Sequence, residues 1–249
     1  MRLRFAILSV LAVSAAAPLA AQPVPVNTIT ANWSNDVPGG DVNVDNSLAD
    51  DIRTCWPGGG SNSDGSCANL LDDDSGSWGA GDSGYRFLRS LPLPFNAFPA
   101  TPFSLGEFIH LNRPITGTSL SSVNLNLGFD IGGESYDASW QFNHNETPNV
   151  GGNNCCNDLI SFVSLTDPSS SSFSFNGDQY VINLLGFGDA PGSITTSFST
   201  VENASNSTQL WGEISLVDRR EVPEPATFAL LAVGVLGLGA ASRRNRARA

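Results

Sequence analysis

Ser122-Val123-Asn124-Leu125-Asn126-Leu127-Gly128-Phe129-Asp130-Ile131 decides the fold class. Apolar side chains alternate with polar or small ones along the whole stretch. In an extended chain successive side chains point to opposite faces. A period of two therefore buries Val123, Leu125, Leu127, Phe129 and Ile131 on one face and wets the other. The pattern recurs at Ile29, Ala31 and Trp33, and again at Ala138, Trp140, Phe142 and His144. Further strands are predicted within 103–111, 159–165, 173–175, 180–185, 194–201 and 210–217. Gly132-Gly133, Asp167-Pro168, Asn176-Gly177 and Pro191-Gly192 punctuate them as turns. The spacing at Asn176-Gly177 suits a hairpin slightly wider than the tightest type. No amphipathic helix of any length interrupts the series. Many short strands with turn signals between them predict an all-β chain, an antiparallel β-sandwich of jelly-roll-like architecture.

Residues 36–84 read differently, because Asp, Gly, Ser and Asn dominate. They predict a long decorated loop region around one or two edge strands. Leu91-Pro92-Leu93-Pro94-Phe95 cannot form a central strand, since proline donates no ladder hydrogen bond, and reads as an extended connector. Trp33, Trp140 and Trp211 fall in strand patterns and are expected in the core. Trp56 and Trp78 lie in Gly-rich loops, where an indole either packs under the loop or offers a stacking platform to a sugar.

The two ends carry a different message. Arg2 and Arg4 precede an apolar run to Ala17 and the small-residue exit Leu19-Ala20-Ala21. This is the layout of a signal peptide over 1–21, with a signal helix and export by the Sec route. At the other end Val222-Pro223-Glu224-Pro225 leads into an uncharged apolar run over 226–241, then Arg243, Arg244, Arg246 and Arg248. A helix over that run spans about 24 Å, short of the ~30 Å hydrocarbon core, and snorkelling arginines close the difference. The basic residues predict a transmembrane helix whose C-terminus stays cytoplasmic. The order of Pro223-Glu224-Pro225, apolar helix and Arg243, Arg244, Arg246 resembles the PEP-CTERM sorting signal of exported Gram-negative proteins. That resemblance implies a processing partner, the exosortase, and a path through the inner membrane to the cell surface or beyond. The chain then divides into a signal peptide (1–21), an exported β-sandwich domain (22–221) and a sorting signal (222–249).

Charge narrows the partners. The chain has 12 basic and 24 acidic residues and a formal net charge of −12. It has no lysine, and half of its arginines belong to the two ends. Nucleic acid needs clustered cations on a protein surface, so it is excluded as a partner. Divalent cations and basic partners suit the acidic body better, although acidity also serves plain solubility. Cys55, Cys67, Cys155 and Cys156 fall in the exported stretch, where disulfides form. Three pairings are open. A vicinal Cys155–Cys156 bridge is strained, and crossed pairs avoid that strain.

Candidate chemistry is sparse. His110 and His144 each follow a phenylalanine by two residues and have an asparagine close behind. Two imidazoles with Glu146 or Asp158 form a donor set for zinc or iron. The plainer role for these residues is bonding backbone groups at strand ends. For a hard cation, Asp72-Asp73-Asp74 is an oxygen-rich cluster and Ca2+ its natural ligand. Asp41-x-Asn43-x-Asp45-Asn46 begins like a calcium loop but has Ile52 at the twelfth position, where an acid is required. There is no Gly-x-Ser-x-Gly nucleophile elbow, and no catalytic constellation emerges, so the chain does not read as an enzyme.

The middle of the chain also resembles a known group. Phe108-Ile109-His110-Leu111-Asn112-Arg113-Pro114-Ile115 is similar to the name-giving motif of the THxN family of PEP-CTERM proteins, with Ile109 in place of threonine. Ser83-Gly84-Tyr85-Arg86-Phe87, His144-Asn145-Glu146-Thr147-Pro148-Asn149, Cys156-Asn157-Asp158 and Tyr180–Phe187 match in the same order over most of 27–217. The resemblance, which extends to the choice-of-anchor type of surface domain, implies an exported β domain and no particular reaction. The sequence thus predicts an exported surface or matrix protein with a structural or adhesive role linked to exopolysaccharide. A calcium-assisted carbohydrate-binding module and a secreted polysaccharide hydrolase are the alternatives.

Overall fold

The computed structural model describes residues 22–38, 43–46, 50–56, 83–90, 92–115, 118–148, 157–164 and 172–218. The predicted signal helix and the predicted transmembrane helix both lie outside the described residues. Among the described residues no helix is long and apolar enough to cross a membrane.

The alternating stretches form strands in two antiparallel sheets, as their period demands. One sheet contains β1 (Val24–Val37), β5 (Phe95–Ala97), β7 (Ser122–Ile131), β8 (Glu134–Asn145), β9 (Asp158–Ser164) and β12 (Ser197–Thr200). Its spatial order is β12-β9-β8-β7-β1-β5. The other contains β2 (Asn43–Asp45), β3 (Asp51–Trp56), β4 (Ser83–Arg89), β6 (Phe103–Asn112), β10 (Ser172–Phe175), β11 (Asp178–Gly188) and β13 (Ala204–Asp218). Its order is β10-β11-β13-β6-β4-β3-β2. Two tight hairpins follow from their turn residues. Gly132 and Gly133 between β7 and β8 have φ of 63° and 93°, and Asn176 and Gly177 between β10 and β11 have 53° and 90°. Two successive positive φ values make the turn whose twist matches that of the strands it joins. Phe175 pairs directly with Asp178, so the second hairpin is of the tightest type, not the wider one expected.

The sheets face each other across an aromatic core. Trp33, Trp140 and Phe142 project from the first sheet, and Tyr85, Phe87, Phe108 and Phe187 from the second, all at most 2% exposed. Phe108 stacks on Phe142 across the gap with ring centroids 5.3 Å apart and planes 9° off parallel. Trp33 meets Phe108 edge-on at 6.3 Å. The expected β-sandwich is therefore present, and Trp33 and Trp140 are core residues as expected.

Several local expectations are corrected. Residues 36–84 are expected to be loop around one or two edge strands. β2 is such an edge strand, but β3 lies inside the second sheet between β2 and β4. Ile52, Arg53, Thr54, Cys55 and Trp56 are all buried. Because both faces of β3 are covered, it shows no clean alternation. Arg53 is tolerated inside because Asp51 pairs with it and with Arg86, at 3.0 Å in the latter case. Burial alone would raise the Asp51 carboxyl, but the two guanidinium groups hold it below its usual range. Trp56 is fully buried, not displayed in a loop, which removes it as a sugar platform. Trp211, expected in the core, is half-buried, and its indole N–H donates to the Gly188 carbonyl at 2.6 Å. Phe95, the last residue of the stretch read as a connector, opens the edge strand Phe95–Ala97 on β1. Within the stretch that began like a calcium loop, Asn43–Asp45 form β2. Asn46 then bonds the backbone of Trp33 in both directions, at 2.9 and 3.1 Å, as a ladder residue would.

Truncating a ring that bridges the sheets is expected to cost about 3–5 kcal/mol, the range for buried aromatic deletions. Urea unfolding of Phe108→Ala should show this loss. Val217→Ala, at a position 63% exposed, should leave the midpoint unchanged.

Candidate metal centre

The period of two that buries Phe108 and Phe142 also buries the residues two further on. His110 lies at 0% and His144 at 7% exposure, with ring centroids 5.1 Å apart and planes nearly perpendicular. Trp56 and Tyr85 enclose them. Trp56 lies 5.2 Å from His144 and Tyr85 5.0 Å from His110, each edge-on. Each imidazole is oriented through Nδ1. That of His110 bonds the Thr200 hydroxyl at 2.9 Å, and that of His144 bonds the Tyr85 hydroxyl. The side chain of Asn112 donates to the Thr200 carbonyl at 3.3 Å. The expected backbone-bonding role is thus replaced by side-chain partners inside the sandwich.

Three carboxylates meet the histidines. Glu146 Oε2 lies in hydrogen-bond contact with His144 Nε2 at 3.1 Å, and Asp158 Oδ2 lies 3.7 Å from the same nitrogen. Strand pairing sets Asp158 opposite Thr200. Its Oδ1 accepts from the Thr147 amide at 2.9 Å and the Thr147 hydroxyl at 3.1 Å, which leaves Oδ2 facing the cluster. Glu202, 3% exposed, enters from the link between β12 and β13. One donor atom from each of His110, His144 and Asp158 lies within 4.8 Å of the others, and the same holds for Glu146, Asp158 and Glu202. His110 Nε2, Glu146 Oε1, Asp158 Oδ2 and both Glu202 oxygens are buried with no hydrogen-bond partner among the described residues.

Burial dominates the titration of the cluster. It drives His110 well below the usual imidazole range, helped by its neighbour His144. It brings His144 down to about 4 against the pull of Asp158. It pushes Glu146 up to about 7, and Glu202 up to about 7 with repulsion from Asp158 and Glu146 added. Asp158 is also raised, chiefly by burial. At neutral pH both imidazoles are therefore free bases, the form that ligates a metal ion. Two imidazole nitrogens and carboxylate oxygens match zinc and its first-row neighbours better than calcium, which takes six to eight oxygens.

Of the residues singled out from sequence, His110, His144 and Glu146 come together, and Asp158 joins them. Glu202 and Tyr85 were not singled out as site residues. Glu202 sits alone in Val201-Glu202-Asn203 with no motif around it. Tyr85 was one of the residues behind the THxN resemblance, but its pairing with His110 in the ladder was not legible. Asp72, Asp73 and Asp74 lie outside the described residues. So do Cys67, Cys155, Cys156, Trp78, Pro223, Glu224, Pro225 and the terminal arginines. Cys55 packs with Ile109 and Leu111, apart from the aromatic core.

The terminal stretch matches a family model. Residues 221–244 fit the PEP-CTERM protein-sorting motif. The chain carries a PEP-CTERM sorting signal. That signal indicates export to the cell surface and processing by an exosortase. The match is confined to the end of the chain and does not bear on the THxN resemblance of the body. No curated protein matches the sequence.

Two measurements check the cluster. Tyr85→Phe removes one hydroxyl and strands His144 Nδ1 in a buried position. It is expected to cost about 1–3 kcal/mol in urea unfolding. Glu202 has a folded pKa raised above its unfolded value, so its stabilising contribution is present at low pH and lost as pH rises through about 7. With chelator present, Glu202→Gln should therefore gain stability relative to the parent between about pH 5 and 7.5, and the difference should level off above that. A difference independent of pH would show that the carboxyl titrates normally.

Proposed function

We propose that this chain is an exported, non-enzymatic surface protein whose β-sandwich has a structural or adhesive role associated with exopolysaccharide. The observation that carries this reading is the sorting motif at 221–244, which follows β13 almost directly. A body joined so closely to a sorting signal is delivered whole to the outside. Export starts from the signal peptide at 1–21 by the Sec route. The apolar run at 226–241 then halts in the inner membrane, with Arg243, Arg244 and Arg246 on the cytoplasmic side. Cleavage at Pro223-Glu224-Pro225 releases the sandwich to the surface or the matrix. A net negative body without lysine stays soluble there and does not adhere to nucleic acid. The two histidines and their carboxylates point between the sheets, and this favours a scaffold over a catalyst.

Replacing Pro223-Glu224-Pro225 by three alanines tests the sorting step. Full-length protein should accumulate in the inner-membrane fraction while the processed form disappears from the surface and the medium. Unchanged release of processed protein would contradict the reading.

A further inference from the structure

We propose that His110, His144 and Asp158, with Glu146 and Glu202 beside them, bind one divalent first-row transition metal ion of the zinc class, and that this ion fastens the two sheets together. The proposal is independent of the surface role above.

Three observations carry it. The first is convergence. His110 comes from β6 in the second sheet, and His144 and Asp158 come from β8 and β9 in the first. Glu202 comes from the link that crosses between them. Their donor atoms nevertheless fall within 4.8 Å of one another in two triads that share Asp158. In a tetrahedral site metal–ligand bonds of about 2.0–2.2 Å place donors about 3.3–3.6 Å apart. A contraction of at most about 1.5 Å closes the widest pair within either triad.

The second is the set of buried atoms without partners. A buried polar atom is normally hydrogen-bonded. Here His110 Nε2, Asp158 Oδ2 and both Glu202 oxygens lack partners among the described residues, and their residues are at most 3% exposed. All are acceptors once the imidazole proton sits on Nδ1 and the carboxyl groups give up their protons, so a cation is the ligand that satisfies them together.

The third is orientation. The Thr200 hydroxyl holds His110 through Nδ1, and Thr147 fixes Asp158 through Oδ1. In both residues the outward atom is anchored and the inward atom is left free. This is how supporting residues aim metal ligands. Tyr85 stands in the same relation to His144, accepting Nδ1–H when Nε2 gives its lone pair to the ion.

The test uses the untagged full chain in detergent, stripped with EDTA and then dialysed. Cobalt(II) is expected to bind at about one equivalent, with visible ligand-field bands, and zinc to displace it. Zinc at a hundredfold excess over its Kd should raise Tm by about 5–10 °C, and calcium should leave Tm unchanged. His144→Gln and Asp158→Asn should each weaken cobalt binding by more than tenfold. Should either fail to fold, Glu202→Gln, which keeps shape and hydrogen-bonding capacity, supplies the comparison, with an expected loss of at least severalfold. The proposal is overturned if the folded, stripped parent shows no cobalt bands and no zinc-dependent rise in Tm. It is equally overturned if calcium competes as well as zinc, or if the folded variants bind cobalt like the parent.

Discussion

The stack of Phe108 on Phe142 sets the register of one sheet against the other, and the rest of the interior follows from it. Both rings are fully buried, and they meet nearly face to face across the gap. In each strand the next inward residue is a histidine. Phe108 leads to His110 and Phe142 to His144, and those rings are again about one ring-width apart. Stepping forward in both strands keeps the pairs together, so β6 and β8 run in the same direction across the sandwich. A one-residue slip in either strand would turn its histidine outward and its phenylalanine with it.

That register explains why polar groups are tolerated so deep. An isolated charge in an apolar interior is costly, and a titratable group there drops its charge instead. The cluster behaves accordingly. The imidazoles are held as free bases, and Glu146 and Glu202 keep their protons up to about pH 7. The aromatic walls of Trp56 and Tyr85 lower the local dielectric and sharpen this effect. At Arg53 the solution differs. Asp51 pairs with its buried guanidinium, and Arg86 shares the same carboxylate. One site is built from an ion pair, the other from acceptors that face one another.

Much of the architecture was legible one strand at a time. Alternation at 122–131 and 138–144 marked β7 and β8 correctly, because each has one apolar face. It failed at β3, where both faces are covered and Arg53 and Thr54 interrupt the pattern. It also failed for Trp211, because a tryptophan at an alternating position is not bound to the inner face when Gly188 offers its N–H a partner. The site was half legible. Two histidines at the same offset from two phenylalanines were visible in the sequence, and Glu146 stands two residues after one of them. Asp158 was legible only as an alternative to Glu146, and Glu202 carries no local signature. Their roles arise from the pairing of β9 with β12 and from the path of the link into β13.

The sequence by itself determined the destination of this protein and its class of fold. Sorting signals act as linear order of charge, proline and apolar length, and side-chain alternation is a local property of extended backbone, so neither requires contacts between distant residues. The tertiary structure alone decided which residues form the buried cluster. Tyr85, His110, His144, Asp158 and Glu202 stand 14 to 44 residues apart, each from the next, along the chain, and no local rule brings them together. Only the facing of two sheets, locked by aromatic rings, puts two imidazoles and three carboxylates in one place.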